Sequence, residues 1–250
     1  MSDPESAEGP NGTPPAAPRT PGLLKRLYRE ERDAWREHYR KYFKYAARAL
    51  GAGFVAGFVY FTLRPDQEKK ALEFVIRALK DIELQGSPLV LALTLFYHNS
   101  RASVVAVAAG IVPFLFLPIL DPLLNGGVLG LLVSVTKHQG LDVPRLVLTK
   151  ILPHGVFELT SVLYATSLGL YLSAGMGKKA VAAWNNRTNK PPAGPPAVAD
   201  PTNFLGSYPD RAAAEPDSLA RNVFRSFVLV VLPLLLIAAF IEGFITPLLR

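Results

Sequence analysis

Five long apolar runs and two amphipathic stripes divide the chain. In the first stripe Leu24, Leu27, Tyr28, Trp35, Tyr39 and Tyr42 recur at three, four or seven positions among arginines and lysines. This predicts a basic amphipathic juxtamembrane helix over residues 22–44, lying in the lipid headgroup layer. Tyr45 to Leu63 then reads as a first spanning helix, and its Gly51, Gly53 and Gly57 offer a face on which another helix can close. Leu72, Val75, Ile76, Leu79 and Ile82 form one face of a second amphipathic helix over 66–84, expected on the outer side of the membrane. The run from Pro88 to Pro118 is longer than one crossing needs and carries Gly110 and Pro113. It predicts either one long kinked helix or a helix followed by a re-entrant piece. A tight turn is expected at Asp121 and Pro122, then a third run from Asn125 to about Val135, a fourth from Leu146 to Met176, and a last from Val223 to Leu249. Residues 1–21 and 177–222 are rich in Pro, Gly and polar residues. They predict a disordered tail and a flexible cytoplasmic linker.

Runs of about 18 residues or more span the roughly 30 Å hydrocarbon core of a bilayer. The fold class is therefore all-α: an integral membrane helical bundle with five crossings, or six if a broken run crosses twice, and with amphipathic interfacial helices. Composition agrees, since 50% of residues are hydrophobic and mean hydropathy is +0.22 despite the polar segments. The net charge of +7 would suggest nucleic acid in a soluble protein, but much of the excess flanks the first apolar run. That is the signature of a cytoplasmic flank, so the expected partner is the bilayer and not nucleic acid, with the N-terminus and the linker inside the cell. No cleavable signal peptide is expected ahead of a first apolar run that starts near Tyr45. The chain has no cysteine, which excludes thiol catalysis, disulfides and thiolate metal sites.

The polar residues inside the runs are the candidate chemistry. His154 and Glu158 lie four apart and share a helix face, and Pro153 removes a backbone hydrogen bond beside them. His98, Asn99 and Arg101 interrupt the second run, Asn125 opens the third and Glu242 is the acid of the last. Ionisable groups in a span usually face protein or a water-filled cavity. Three readings follow for this intramembrane polar core of His98, Asn99, Arg101, Asn125, Pro153, His154, Glu158 and Glu242. Glu158 could pair with Arg101, or His154 with Asn125, and so fix the packing. His154 and Glu158 could relay protons in a transporter. Or they could hold half of a hydrolytic metal site, with a third ligand from His98, Asp121 or Glu242. No residue is assigned as catalytic, cofactor-binding or metal-ligating, and no cofactor is expected. Gly126, Gly127 and Gly130 follow no strand and have no lysine, so they read as helix-packing glycines and not as a phosphate cradle.

Together, Phe96-Tyr97-His98-Asn99-Ser100, Asn125-Gly126 with Gly130, Pro153-His154-Gly155-Val156-Phe157-Glu158-Leu159 with Gly169, and Glu242 through Pro247 resemble the stage II sporulation protein M family of multi-pass membrane proteins. The resemblance covers about residues 70–250. It implies a membrane anchor and scaffold for peptidoglycan-degrading partners in the name-giving member, and it supplies no biochemical activity. The expectation for this chain is a non-enzymatic membrane scaffold with protein partners in the cell envelope, or with further copies of itself.

Overall fold

The computed structural model describes residues 22–83, 87–188 and 216–249. The tail expected over 1–21 and most of the expected linker lie outside the described residues. Among those described, five helical stretches are long and apolar enough to cross a membrane: Leu23–Leu63, Pro88–Ala109, Leu117–His138, Leu152–Thr188 and Leu219–Leu248. The chain is an all-α membrane bundle.

In the first stretch α1 (Leu23–Ala34) passes through a π turn (Trp35–Tyr39) into α2 (Arg40–Leu63), making one continuous helix of 41 residues. On the face turned to the bundle Glu31, Ala34 and Tyr39 are buried, while Leu24 and Tyr28 stay exposed. The later part of the aromatic stripe meets protein: Trp35 stacks on Tyr164 with centroids 5.4 Å apart, and beside it His38 stacks on Tyr171 at 5.2 Å. The second amphipathic helix is α3 (Pro65–Glu83).

The long run after it resolves as a helix, α4 (Pro88–Ala109), followed by a non-helical segment in which Phe114 and Phe116 take φ of +70° and +47°. Left-handed backbone is strained for a bulky residue. A 3-10 turn (Leu117–Ile119) then leads directly into α5 (Leu120–His138). Asp121 and Pro122 are thus not a tight turn but the first turn of α5, where the missing proline N–H breaks no hydrogen bond. Gly140, at φ +66°, ends this helix: its N–H donates to Lys137 O and the N–H of Leu141 donates to Thr136 O. That paired closure needs a left-handed residue, which glycine supplies.

Next come α6 (Val143–Leu146), capped by Asp142 accepting from the Arg145 N–H at 3.1 Å, a π turn (Val147–Ile151) and α7 (Leu152–Thr188). The expected exit from helix after Met176 is corrected, since α7 continues to Thr188. Residues 178–188 contain no proline, and Gly177 packs on the ring of Phe114. The last stretch is α8 (Pro216–Ser226), a π turn (Phe227–Val231), α9 (Leu232–Phe240), a π turn (Ile241–Ile245) and a 3-10 turn (Thr246–Leu249). It begins upstream of the expected start at Val223. Among the described residues, three of four π turns end two residues before a proline: Pro153, Pro233 and Pro247. A proline cannot donate to the fourth carbonyl behind it and its ring clashes with that carbonyl. Widening the preceding turn moves the carbonyl aside and keeps the helix continuous.

The bundle is arranged on α7, whose most apolar window is 56% buried against at most 33% in the other spans. Contacts fix directions. Asn99 faces Glu158 and Gly110 faces Gly169, so α4 runs parallel to α7. Leu219 faces Gly175 and Glu242 faces His154, so the last span runs antiparallel to α7. Gly126 faces Leu50 and Ser134 faces Thr62, so α5 runs parallel to α2. These senses agree with a chain that crosses a bilayer five times in alternation.

Contact between α2 and α5 depends on absent side chains. A Cβ on Gly53 would overlap the carbonyl of Leu123, and one on Gly126 would overlap the carbonyl of Leu50. Gly51, expected on the same face, has nothing within 4 Å. Overpacking a close joint costs about 1–3 kcal/mol. Gly126→Ala should therefore lower the thermal unfolding midpoint of the purified chain by several degrees, with Gly51→Ala leaving it unchanged. Equal midpoints for the two variants would contradict the helix contact described.

Candidate functional site

The first polar centre forms where α7, α4 and the end of the last span meet. Pro153 and the π turn before it sit at the head of α7, so that His154 and Glu158 occupy its first turns on one face. On the last span Gly243 lies in a π turn, close enough to α4 that a Cβ there would come within 2.7 Å of Pro88 O. This seating turns Glu242 toward α7. His154 Nδ1 lies 2.7 Å from Glu242 Oε2, their side chains 21% and 31% exposed. One turn on, Asn99 Nδ2 donates to Glu158 Oε1 at 3.1 Å. Three helices are thus joined by a histidine–carboxylate pair and an amide–carboxylate pair set one above the other.

The partners differ from those expected. Glu158 takes Asn99 and not Arg101, because residues two apart on a helix do not share a face, and Asn99 is the one turned to α7. His154 takes Glu242 and not Asn125, which spends its amide on its own helix, donating to Asp121 O at 2.9 Å and to Asp121 Oδ1 at 3.1 Å. His98 and Arg101 face the other way, into a cavity of about 640 Å3 between α4 and α5, whose α5 wall carries Asp121. The single polar core expected from sequence is two centres, one on each side of α4. Among the described residues no three His, Asp or Glu side chains are grouped as a metal ion requires.

Two further polar networks were not anticipated. Glu31 is 7% exposed and accepts from Tyr164 Oη at 2.7 Å and from Ser226 Oγ at 2.8 Å. Tyr39 Oη lies 3.1 Å from the same serine, and Arg225 reaches both Glu30 at 2.9 Å and Glu31 at 3.6 Å. The second network joins α3 to the end of the α2–α5 pair. Glu68, 8% exposed, accepts from Ser134 Oγ and lies 2.9 Å from His138 Nδ1, while Thr62 Oγ1 is 3.2 Å from Ser134 Oγ. A signal for both was present. Glu31 falls in the Leu24, Leu27, Trp35, Tyr39 stripe and Glu68 in the Leu72, Val75, Leu79 stripe. An acid in line with apolar neighbours at helical spacing is an acid that will be buried.

Five apolar spans, polar groups matched across their joints and glycine-mediated helix contact define an α-helical, multi-pass membrane protein. Compared with family models, the chain matches Stage II sporulation protein M over residues 27–247. It belongs to that family, and the match takes in every polar group described above. No curated protein and no solved structure matches the chain.

Cross-helix polar contacts in membranes are worth about 0.6 kcal/mol on average and about 1.7 at most. A double-mutant cycle with His154→Ala and Glu242→Ala, read by reversible unfolding in detergent, should give a coupling in that range. The same cycle with His154→Ala and Asn125→Ala should give none.

Proposed function

We propose that this protein is a non-enzymatic membrane scaffold, an assembly partner for proteins of the cell envelope, with its N-terminal helix and Pro-rich linker on the cytoplasmic side. The observation that carries this reading is the spending of polar groups on joints between helices. Asn99 with Glu158, His154 with Glu242, Glu31 with Tyr164 and Ser226, and Glu68 with His138 each tie one helix to another. Such pairs favour one arrangement of the bundle over its alternatives. A fixed arrangement suits a protein that presents surfaces to partners. Cytoplasmic placement of the N-terminus is supported by the run of arginines and lysines ahead of the first apolar run.

A transporter is the second reading, favoured by His154, Glu158 and Glu242 lying within two turns of one another across two helices. The two separate on Glu158→Gln. For a scaffold, that variant keeps its envelope partners on co-purification from the native cell, while charge reversal on the exposed face of α3, Glu73→Lys with Arg77→Glu, releases them. Ion-gradient-driven solute uptake into proteoliposomes that disappears in Glu158→Gln would replace scaffolding with transport.

Sidedness has its own test. Because the chain lacks cysteine, single cysteines at Leu24 and Lys70, both exposed, report accessibility directly. In intact cells a membrane-impermeant maleimide should label Lys70→Cys and spare Leu24→Cys. The reverse pattern would invert the topology.

A further inference from the structure

We propose that the cavity between α4 and α5 is a phospholipid site, with the lipid phosphate held by the Arg101 guanidinium. Arg101 lies within the α4 span, and among the described residues it forms no ion pair. Asp121 lines the same cavity, with one carboxylate oxygen held by Asn125, a neutral donor from within α5. A cation in a span needs a counter-charge or water, and with no acid within ion-pair distance of Arg101 among the described residues, an anionic group seated in the cavity would supply it.

The surroundings say what that is. The volume of about 640 Å3 falls in the usual range for small-molecule sites, roughly 300–1,000 Å3. Apart from His98, Arg101 and Asp121, the lining is apolar. The rim residues Val105, Leu120 and Leu124 are 61%, 48% and 68% exposed, on helices whose exposed faces meet acyl chains. The mouth thus opens to lipid, and the molecule at hand is an amphiphile. A guanidinium accepts a phosphodiester through two parallel N–H···O bonds, while acyl chains cover the alanine and leucine walls. A water-soluble anion would satisfy Arg101 but leave those walls without a partner.

The test is thermal unfolding of the full chain, purified in a neutral detergent and delipidated, with added phosphatidylglycerol, diacylglycerol or inorganic phosphate. Phosphatidylglycerol at a hundredfold excess over its Kd should raise the wild-type midpoint by about 5 °C. Diacylglycerol and inorganic phosphate should not. The shift should vanish in Arg101→Gln and in Ala102→Phe, which fills the cavity and leaves the charge, and persist in Lys178→Gln, a cation outside the cavity. If Arg101→Gln does not fold, Ala102→Phe decides alone. A shift that survives in Ala102→Phe, an equal response to inorganic phosphate, or no shift in the wild type overturns the assignment.

Discussion

A carboxylate, imidazole or guanidinium carried into a bilayer loses its water, and insertion scales put the cost of a central Asp, Lys or Arg at about 2.5–3.5 kcal/mol. The bundle is built around that constraint. Glu158 and Glu242 each reach a side chain on another helix, and Glu31, at the junction of the basic stripe with the core, reaches two further helices, α7 through Tyr164 and α8 through Ser226 and Arg225. Apolar packing alone distinguishes poorly among arrangements of helices in lipid, since lipid tails are as apolar as leucine. Matched polar pairs distinguish well, because each wrong arrangement leaves a buried group without its partner.

Close backbone approach is the second condition, and it comes from glycine and proline placed where they seem unsuited. Gly53 and Gly126 bring α2 and α5 near enough for Thr62 to meet Ser134, which in turn holds Glu68 of α3. Gly110 and Gly169 do the same for α4 and α7. Pro153 and Pro247 would interrupt α7 and the last span, but the π turns before them absorb the lost hydrogen bonds. These two turns flank the His154–Glu242 pair. Removing helix regularity there costs backbone order and returns a side-chain direction that a straight helix would not provide.

How much of this could be read from the residues depends on the range of the interaction. Fold class and the five spans were legible because a run of 18 or more apolar residues is a local signal. The helix over 66–84 was legible from its stripe. Boundaries were less so: α7 passes Met176, and α1 joins α2 without a break, because nothing between residues 22 and 63 stops a helix. The candidate residues were found by cost alone, but their partners were not. Periodicity tells which face a side chain is on, and it is silent on which helix meets that face. Glu158, Arg101, His154 and Asn125 show this, each facing a neighbour other than the one expected. Glu31 and Glu68 were not singled out, although their spacing matches the apolar stripes, because an acid among lysines and arginines carries no local mark of burial.

α4 is where the two polar centres meet. One face holds Glu158 through Asn99, and the other carries His98 and Arg101 into the cavity toward α5. Both faces belong to one helix, and that helix also packs Gly110 closely against Gly169. If occupancy of the cavity shifts α4, the cavity and the joint are linked, and the linkage is reciprocal: whatever strengthens the joint then biases occupancy of the cavity by the same free energy. A scaffold so arranged would not be indifferent to the lipid around it. Its stability, and with it the surfaces it presents, would follow the composition of the membrane through Arg101.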